Sequence, residues 1–142
     1  MEKFFLVITF IFSFSSLFSK ETPPSKLCNS FSDCSLKANK TDIYRKKISL
    51  YEEALKLFKK SDGEVAKIKV HLFKANAIIR EAQGDTGYKG EIPVKVSHKP
   101  EYKDAQFQKA EFELKEVEKK LTQLQGSEQE LYEELSRILQ SE

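Results

Sequence analysis

The chain has 142 residues, 24 of them basic and 22 acidic, with 11 Phe, two His, two Cys and no Trp. Six of the Phe lie in the first 19 residues, and the 123 that follow carry 23 basic and 21 acidic side chains. A chain of that size fits one modest core, which excludes a large α/β enzyme, and so small a net charge disfavours a dedicated nucleic-acid binder.

Residues 1–19 read as a secretory signal: Lys3 precedes an apolar run from Phe4 to Phe12, and a Ser/Phe stretch ends at Ser19. The competing reading, a permanent anchor, is weakened because the run falls short of the roughly 20 apolar residues a span needs and is broken by Ser13, Ser15 and Ser16. Lipid attachment would need a Cys directly behind the apolar run, whereas Cys28 follows Pro23, Pro24 and Lys26. The chain is therefore expected in the periplasm or cell envelope or outside the cell, with no membrane span once the signal is removed.

Residues 20–34 are expected to form an extended segment and a loop closed by Cys28 and Cys34. Export into an oxidising compartment favours one intramolecular bridge over free or intermolecular thiols, pinning a turn or the entry to a first helix. The spacing is not that of a redox Cys-x-x-Cys pair, and no His lies close enough in sequence for a zinc site.

Residues 35–84 read as two-faced helices. Tyr44, Ile48, Tyr51, Leu55 and Phe58 form one apolar stripe, and Ile43, Leu50, Ala54 and Leu57 a second on nearly the opposite side. Beyond the turn at Ser61-Asp62-Gly63, Val65, Ile68, Leu72, Ala75, Ile79 and Ala82 oppose Val70, Phe73 and Ala77, and Gly84-Asp85 ends the element. Helices with two apolar faces are sandwiched between neighbours.

Residues 85–100 read as a loop insertion, rich in Gly and Pro, with a short alternating run from Ile92 to Val96 that fits an edge strand. Such loops are either contact sites or plain flexible insertions. Residues 101–142 read as charged amphipathic helices. Phe107, Ala110, Leu114, Val117, Leu121 and Leu124 keep a heptad register that continues through Leu131, Leu135 and Ile138 and fails at Glu128. One reading is a coiled coil joining two chains into a homo-oligomer. The preferred one is two helices laid on the stack, separated at Gly126-Ser127, with Ser127 and Glu130 as a capping box.

The segment from Asp42 to Leu57 resembles the second helix of a tetratricopeptide repeat, with Tyr44 at the turn aromatic, Tyr51 at the central one and Ala54 at the small packing position. The same register places Phe31, Cys34, Ser35 and Ala38 at the Trp, Leu, Gly and Tyr positions of the first helix, and Lys69 to Ala77 resembles the start of a second repeat. Lys47 stands where the family has a small Ala, Lys59 replaces its closing Pro, and the spacing between units exceeds 34 residues. The resemblance implies an all-α fold of antiparallel helical hairpins in a stacked array, and protein or peptide binding on a concave face without catalysis; an unrelated helical bundle is the alternative.

From Lys20 to Pro100 there are 17 basic and 10 acidic residues, and from Glu101 to Glu142 there are 6 and 11. The acidic helices are expected to fold against the basic segment and cancel most of that asymmetry. The alternative is a basic face for an acidic partner or an anionic envelope lipid or polymer, the surface of an envelope inhibitor or chaperone. No nucleophile arrangement, phosphate cradle, metal motif or cofactor signature is present. His71 reads as a packed core-edge residue, His98 as a loop residue, and Glu111, Glu113, Glu116 and Glu118 as solvated surface. The chain is thus read as non-catalytic and cofactor-free, binding an unidentified protein or peptide through Tyr44, Tyr51 and Phe73, with Tyr88 on the loop as a clamp. Aromatics supply large contact area at modest entropy cost.

Overall fold

A computed structural model describes residues 26–142, Pro93 excepted. The residue 1–19 signal expectation, the start of the 20–34 segment, and Pro93 in the expected edge strand lie outside the described residues. The described chain is all-α, with α1 (Phe31–Lys40), α2 (Tyr44–Leu57), α3 (Glu64–Ala82), α4 (Pro100–Glu118) and α5 (Gly126–Gln140). Each of the first four helices packs on the next, and α5 lies against α3 and α4. None of these helices is long and apolar enough to cross a membrane.

Helix α1 begins earlier than the expected boundary at residue 35. Ser30 caps it, accepting from the Asp33 amide at 3.1 Å, while Asp33 accepts from the Asn29 amide at 2.9 Å. The first bond satisfies an amide that a helix start leaves unpaired, and the second fixes the chain just before the cap. Cys34 therefore sits inside the helix, and its bridge to Cys28, with Cα atoms 5.2 Å apart, ties the incoming chain to the first turn. Both cysteines are buried, in a core with Phe31, Ala38, Leu50, Tyr51, Ala54 and Val70. On α1 this core takes Phe31, Cys34 and Ala38, three residues and then four apart, as one face of a helix requires.

Helix α3 is shared. Val70 faces the first core, while Ile68, Leu72, Ala75, Ile78, Ile79 and Ala82 join Phe107, Ala110, Leu114, Val117, Leu124 and Leu135 in a second. The two apolar faces read from the sequence are these two cores. The end of α3 follows the Gly84-Asp85 expectation: Gly84 has φ +89, its amide donates to Glu81 O, and the Asp85 amide donates to Arg80 O. That left-handed glycine with two crossed bonds is a Schellman ending.

The heptad seam from Phe107 to Leu135 is used within the chain, where it packs on α3. Its interruption lies before Gly126-Ser127. Helix α4 stops at Glu118, a 3₁₀ turn covers Leu121–Gln123, and α5 starts at Gly126. The capping residue is Gln125, whose amide donates to Glu128 Oε2 at 2.8 Å; Ser127 and Glu130 do not form the expected box. Glu128, the residue that breaks the heptad, is what begins the new helix.

The expected edge strand is reduced to a single antiparallel bridge between Asp85 and Lys95; the described residues contain no strand. The loop is nonetheless tightly fastened. The Val96 amide donates to Gly84 O at 2.8 Å, and Thr86 Oγ1 donates to Val94 O at 2.8 Å. The Tyr44 amide donates to Thr86 O at 3.1 Å. That last bond serves the start of α2, where Ile43 has no side chain able to cap.

Candidate functional site

Two cavities meet on one side of the first core. One, of about 260 Å³, is lined by Asn39, Tyr44, Lys47, Tyr51, Phe73, Asn76 and Ala77. The other, of about 230 Å³, is lined by Phe31, Ser32, Ser35, Asn39, Tyr51, Ala66, Lys69, Val70 and Phe73. Asn39, Tyr51 and Phe73 line both, so the cavities are neighbours in a groove region to which α1, α2 and α3 each contribute. Helical spacing puts these residues in line: 31, 35 and 39 on α1, 44, 47 and 51 on α2, and 66, 69, 73 and 76 on α3.

Three of the four aromatics expected to bind are thus brought together. Tyr44 and Phe73 are half-buried walls, whereas Tyr51 is 3% exposed and gives the groove only a ring edge. The Tyr51 hydroxyl donates to Asn39 Oδ1 at 2.7 Å, and burial pushes its pKa up to about 12, so it stays a donor. Tyr44 is also raised, chiefly by burial and then by the charge of Asp85. Tyr88 lines neither cavity. It is 56% exposed, and its ring folds so closely over Gly90 that a Cβ there would lie 2.1 Å from it.

The sequence reading missed Asn39, Lys47 and Asn76. The signal for Lys47 was present: it lies three residues after Tyr44 and four before Tyr51, on their stripe. Asn76 Oδ1 is buried without a hydrogen-bond partner, an arrangement that buried polar atoms rarely tolerate. A larger crevice of about 360 Å³ separates α4 from α5, rimmed by Glu111, Lys115 and Glu118. Glu111 and Lys115 pair with each other at 2.9 Å there, leaving no unanswered charge between them.

Two carboxylates are buried at the helix interfaces. Glu113, expected on the surface, is 6% exposed: it faces α3, where Lys74 Nζ donates to it at 2.7 Å and His71 Nδ1 at 2.6 Å. An ionised carboxylate only accepts, so Nδ1 carries the proton. Burial pushes the Glu113 carboxyl up, but the bonds from His71 and Lys74 outweigh it and hold the group below its ordinary value. Glu81, 4% exposed, accepts from Arg45 Nε and from the Tyr102 hydroxyl at 2.8 Å each, with His98 Nε2 at 3.5 Å. The Glu81 bond raises Arg45, and burial, then the same carboxylate, raises Tyr102. This hub joins α2, α3, α4 and the end of the loop.

No family model matches the sequence, and no curated protein or solved structure matches it either.

Proposed function

We propose that this protein is an exported, non-catalytic helical module that binds an extended segment of another protein in the groove between α1 and α3. The observation that carries this is that Tyr44, Tyr51 and Phe73, from two helices, line one cavity of about 260 Å³. The disulfide fits a non-cytoplasmic location, and the described helices include no membrane span. Tetratricopeptide-like stacking is part of the proposal. The residues at its signature positions, Phe31, Cys34, Ala38, Tyr51 and Ala54, face the core between α1 and α2, as that arrangement requires.

The region suits a peptide because aromatic and amide side chains line it. A photo-crosslinking residue placed at Tyr44 or Phe73 in the exporting cell, compared with one at Phe112, tests this. Phe112 lies on α4 and is 62% exposed. The expected result is a discrete crosslinked protein from positions 44 and 73 and none from 112. The same products from all three positions, or none from 44 and 73, would overturn the assignment.

A further inference from the structure

The loop between α3 and α4 carries much of the apolar surface that the fold leaves in water. Nine large apolar side chains are exposed among the described residues. Four of them, Tyr88, Ile92, Val94 and Val96, stand on this loop, and a fifth, Ile43, shares a cavity wall with Val96. Ile92 is 79% exposed, and no described residue from 85 to 99 is buried. The bridge from Asp85 to Lys95 and the bonds from the Val96 amide to Gly84 O and from the Tyr44 amide to Thr86 O fix the loop in this outward position. It is an apolar tip, more than the scattered single side chains that any surface shows. Cations surround it. Residues 40–47, to which the loop is fastened, and residues 84–99 together hold seven basic and three acidic side chains. Arg45 is answered by Glu81, and Lys89 by Asp42. Lys40, Lys46, Lys95 and Lys99 are exposed and have no carboxylate partner among the described residues.

We infer that this loop is a peripheral anchor to a bilayer of anionic lipid, with Tyr88, Ile92 and Val94 entering the interface and Lys95 and Lys99 meeting headgroup phosphates. The form of the surface selects lipid over protein. A protein partner would need a hollow matched to the exposed tip, whereas a bilayer interface accepts a projecting apolar group directly. A tyrosine sits well at headgroup depth, with its ring among acyl carbons and its hydroxyl in water. A lysine lays its stem along apolar surface while its ammonium stays with the phosphates, and each one near an anionic surface adds attraction. Entry is shallow, because the backbone groups of a loop need water or headgroups as partners. Glu91, next to Ile92, is the one acid on the loop that works against the contact at its tip. The inference is independent of the peptide groove, and failure of either leaves the other standing.

The chain has no Trp, so Ile92→Trp places a lone fluorescent reporter on the loop, and Phe112→Trp, on α4, is its control. The disulfide-bonded protein recovered from the exporting cell is mixed with vesicles of phosphatidylglycerol and phosphatidylcholine in equal parts, or of phosphatidylcholine alone. On the anionic vesicles the tryptophan of Ile92→Trp should shift to the blue and be quenched by brominated acyl chains, and that of Phe112→Trp should do neither. In co-sedimentation, Ile92→Ser with Val94→Ser, and separately Lys95→Gln with Lys99→Gln, should each lower partitioning about tenfold, and Glu91→Gln should raise it about threefold. High salt should weaken binding of the wild type. Thermal unfolding should stay at the wild-type midpoint in every variant, because these side chains are exposed. No response at position 92, or the same response at position 112, overturns the inference. So does equal partitioning onto neutral vesicles, or partitioning that survives the loop substitutions. A wild type that ignores both vesicles but captures an acidic protein, and loses it with Lys95→Gln and Lys99→Gln, overturns the lipid assignment in favour of a protein partner.

Discussion

Glu113→Gln is the sharpest probe of how the two charge-segregated halves are held together. The substitution keeps the shape of the side chain but replaces one acceptor oxygen with an amide that donates. Glu113 receives Lys74 Nζ through Oε1 and His71 Nδ1 through Oε2, so the amide either turns a donor on Lys74 or meets His71, which must then move its proton to Nε2 to accept. Both cationic-side partners are only 12% exposed, and water cannot readily replace the lost acceptor. Lys74 keeps a second, longer contact to Glu52 at 3.9 Å, which softens the loss. Breaking a buried pair on one side costs about 3–5 kcal/mol, so about 3 kcal/mol is expected here. At this chain length that lowers Tm by about 10 °C. Urea and thermal unfolding followed by circular dichroism measure it. The pH dependence supplies a second check. A carboxyl held below its ordinary value of 4.5 stabilises the fold above that pH, and the contribution is lost as pH falls through the folded-state value. The gap between wild type and Glu113→Gln should therefore begin to narrow as pH falls below the ordinary value of 4.5 and go on narrowing as it passes the lowered folded-state value. A loss under 1 kcal/mol at pH 7, or a gap that stays constant down to pH 3, would refute the argument.

Reducing the Cys28–Cys34 bridge, or Cys28→Ser with Cys34→Ser, should cost about 2 kcal/mol, because the sequence separation is only six and a small loop loses little entropy on closure; unfolding in urea with and without reductant reads this directly. Gly87→Ala should release the loop without unfolding the helices. Gly87 has φ +74, and a Cβ there would lie 2.0 Å from Asp42 O. Faster hydrogen exchange at Tyr44, whose amide is held by Thr86 O, with unchanged helical circular dichroism is the expected result; unchanged exchange at Tyr44 would show that the loop tolerates the change.

What the sequence revealed follows from what a period can encode. Apolar stripes told which face of α4 is covered, and α3 divides between two cores, with Val70 in one and Ile68, Leu72, Ala75, Ile79 and Ala82 in the other; on α2 the two expected stripes are not opposed, because Leu50, Tyr51 and Ala54 all enter the first core. Gly84 ended α3 as expected because the left-handed turn there needs a residue without Cβ. The start of α1 was placed late because its cap was not read from the sequence, and that of α5 was misplaced because two similar capping patterns competed there. Ser30 with Asp33 opens α1, and Gln125 with Glu128 won over Ser127 with Glu130. Glu113 was misread although it lies three residues after Ala110, four before Val117 and next to the buried Leu114: its charge pointed to the surface, and only the approach of α3 supplies His71 and Lys74, some 40 residues away. The groove was partly legible. Tyr44, Tyr51 and Phe73 were readable as aromatics on stripes, but Asn39 and Asn76 became groove residues only when α1 and α3 were set side by side.

Packing brings the basic and acidic segments into contact. Lys69, Lys74 and Arg80 on α3 meet Glu128, Glu113 and Glu134 of the acidic half, and Lys120 returns to Glu64. All of these pairs lie where α4 and α5 reach α3. The α1–α2 hairpin shares no acidic helix of this kind: residues 31–57 hold six basic and four acidic side chains, and Lys47 is among those left over. In a tetratricopeptide-like register Lys47 occupies a position of close packing, yet here a cavity opens beside it. A lysine in a close-packed slot would have to be desolvated. Beside the cavity Lys47 is only half-buried, so its ammonium stays hydrated without a carboxylate partner.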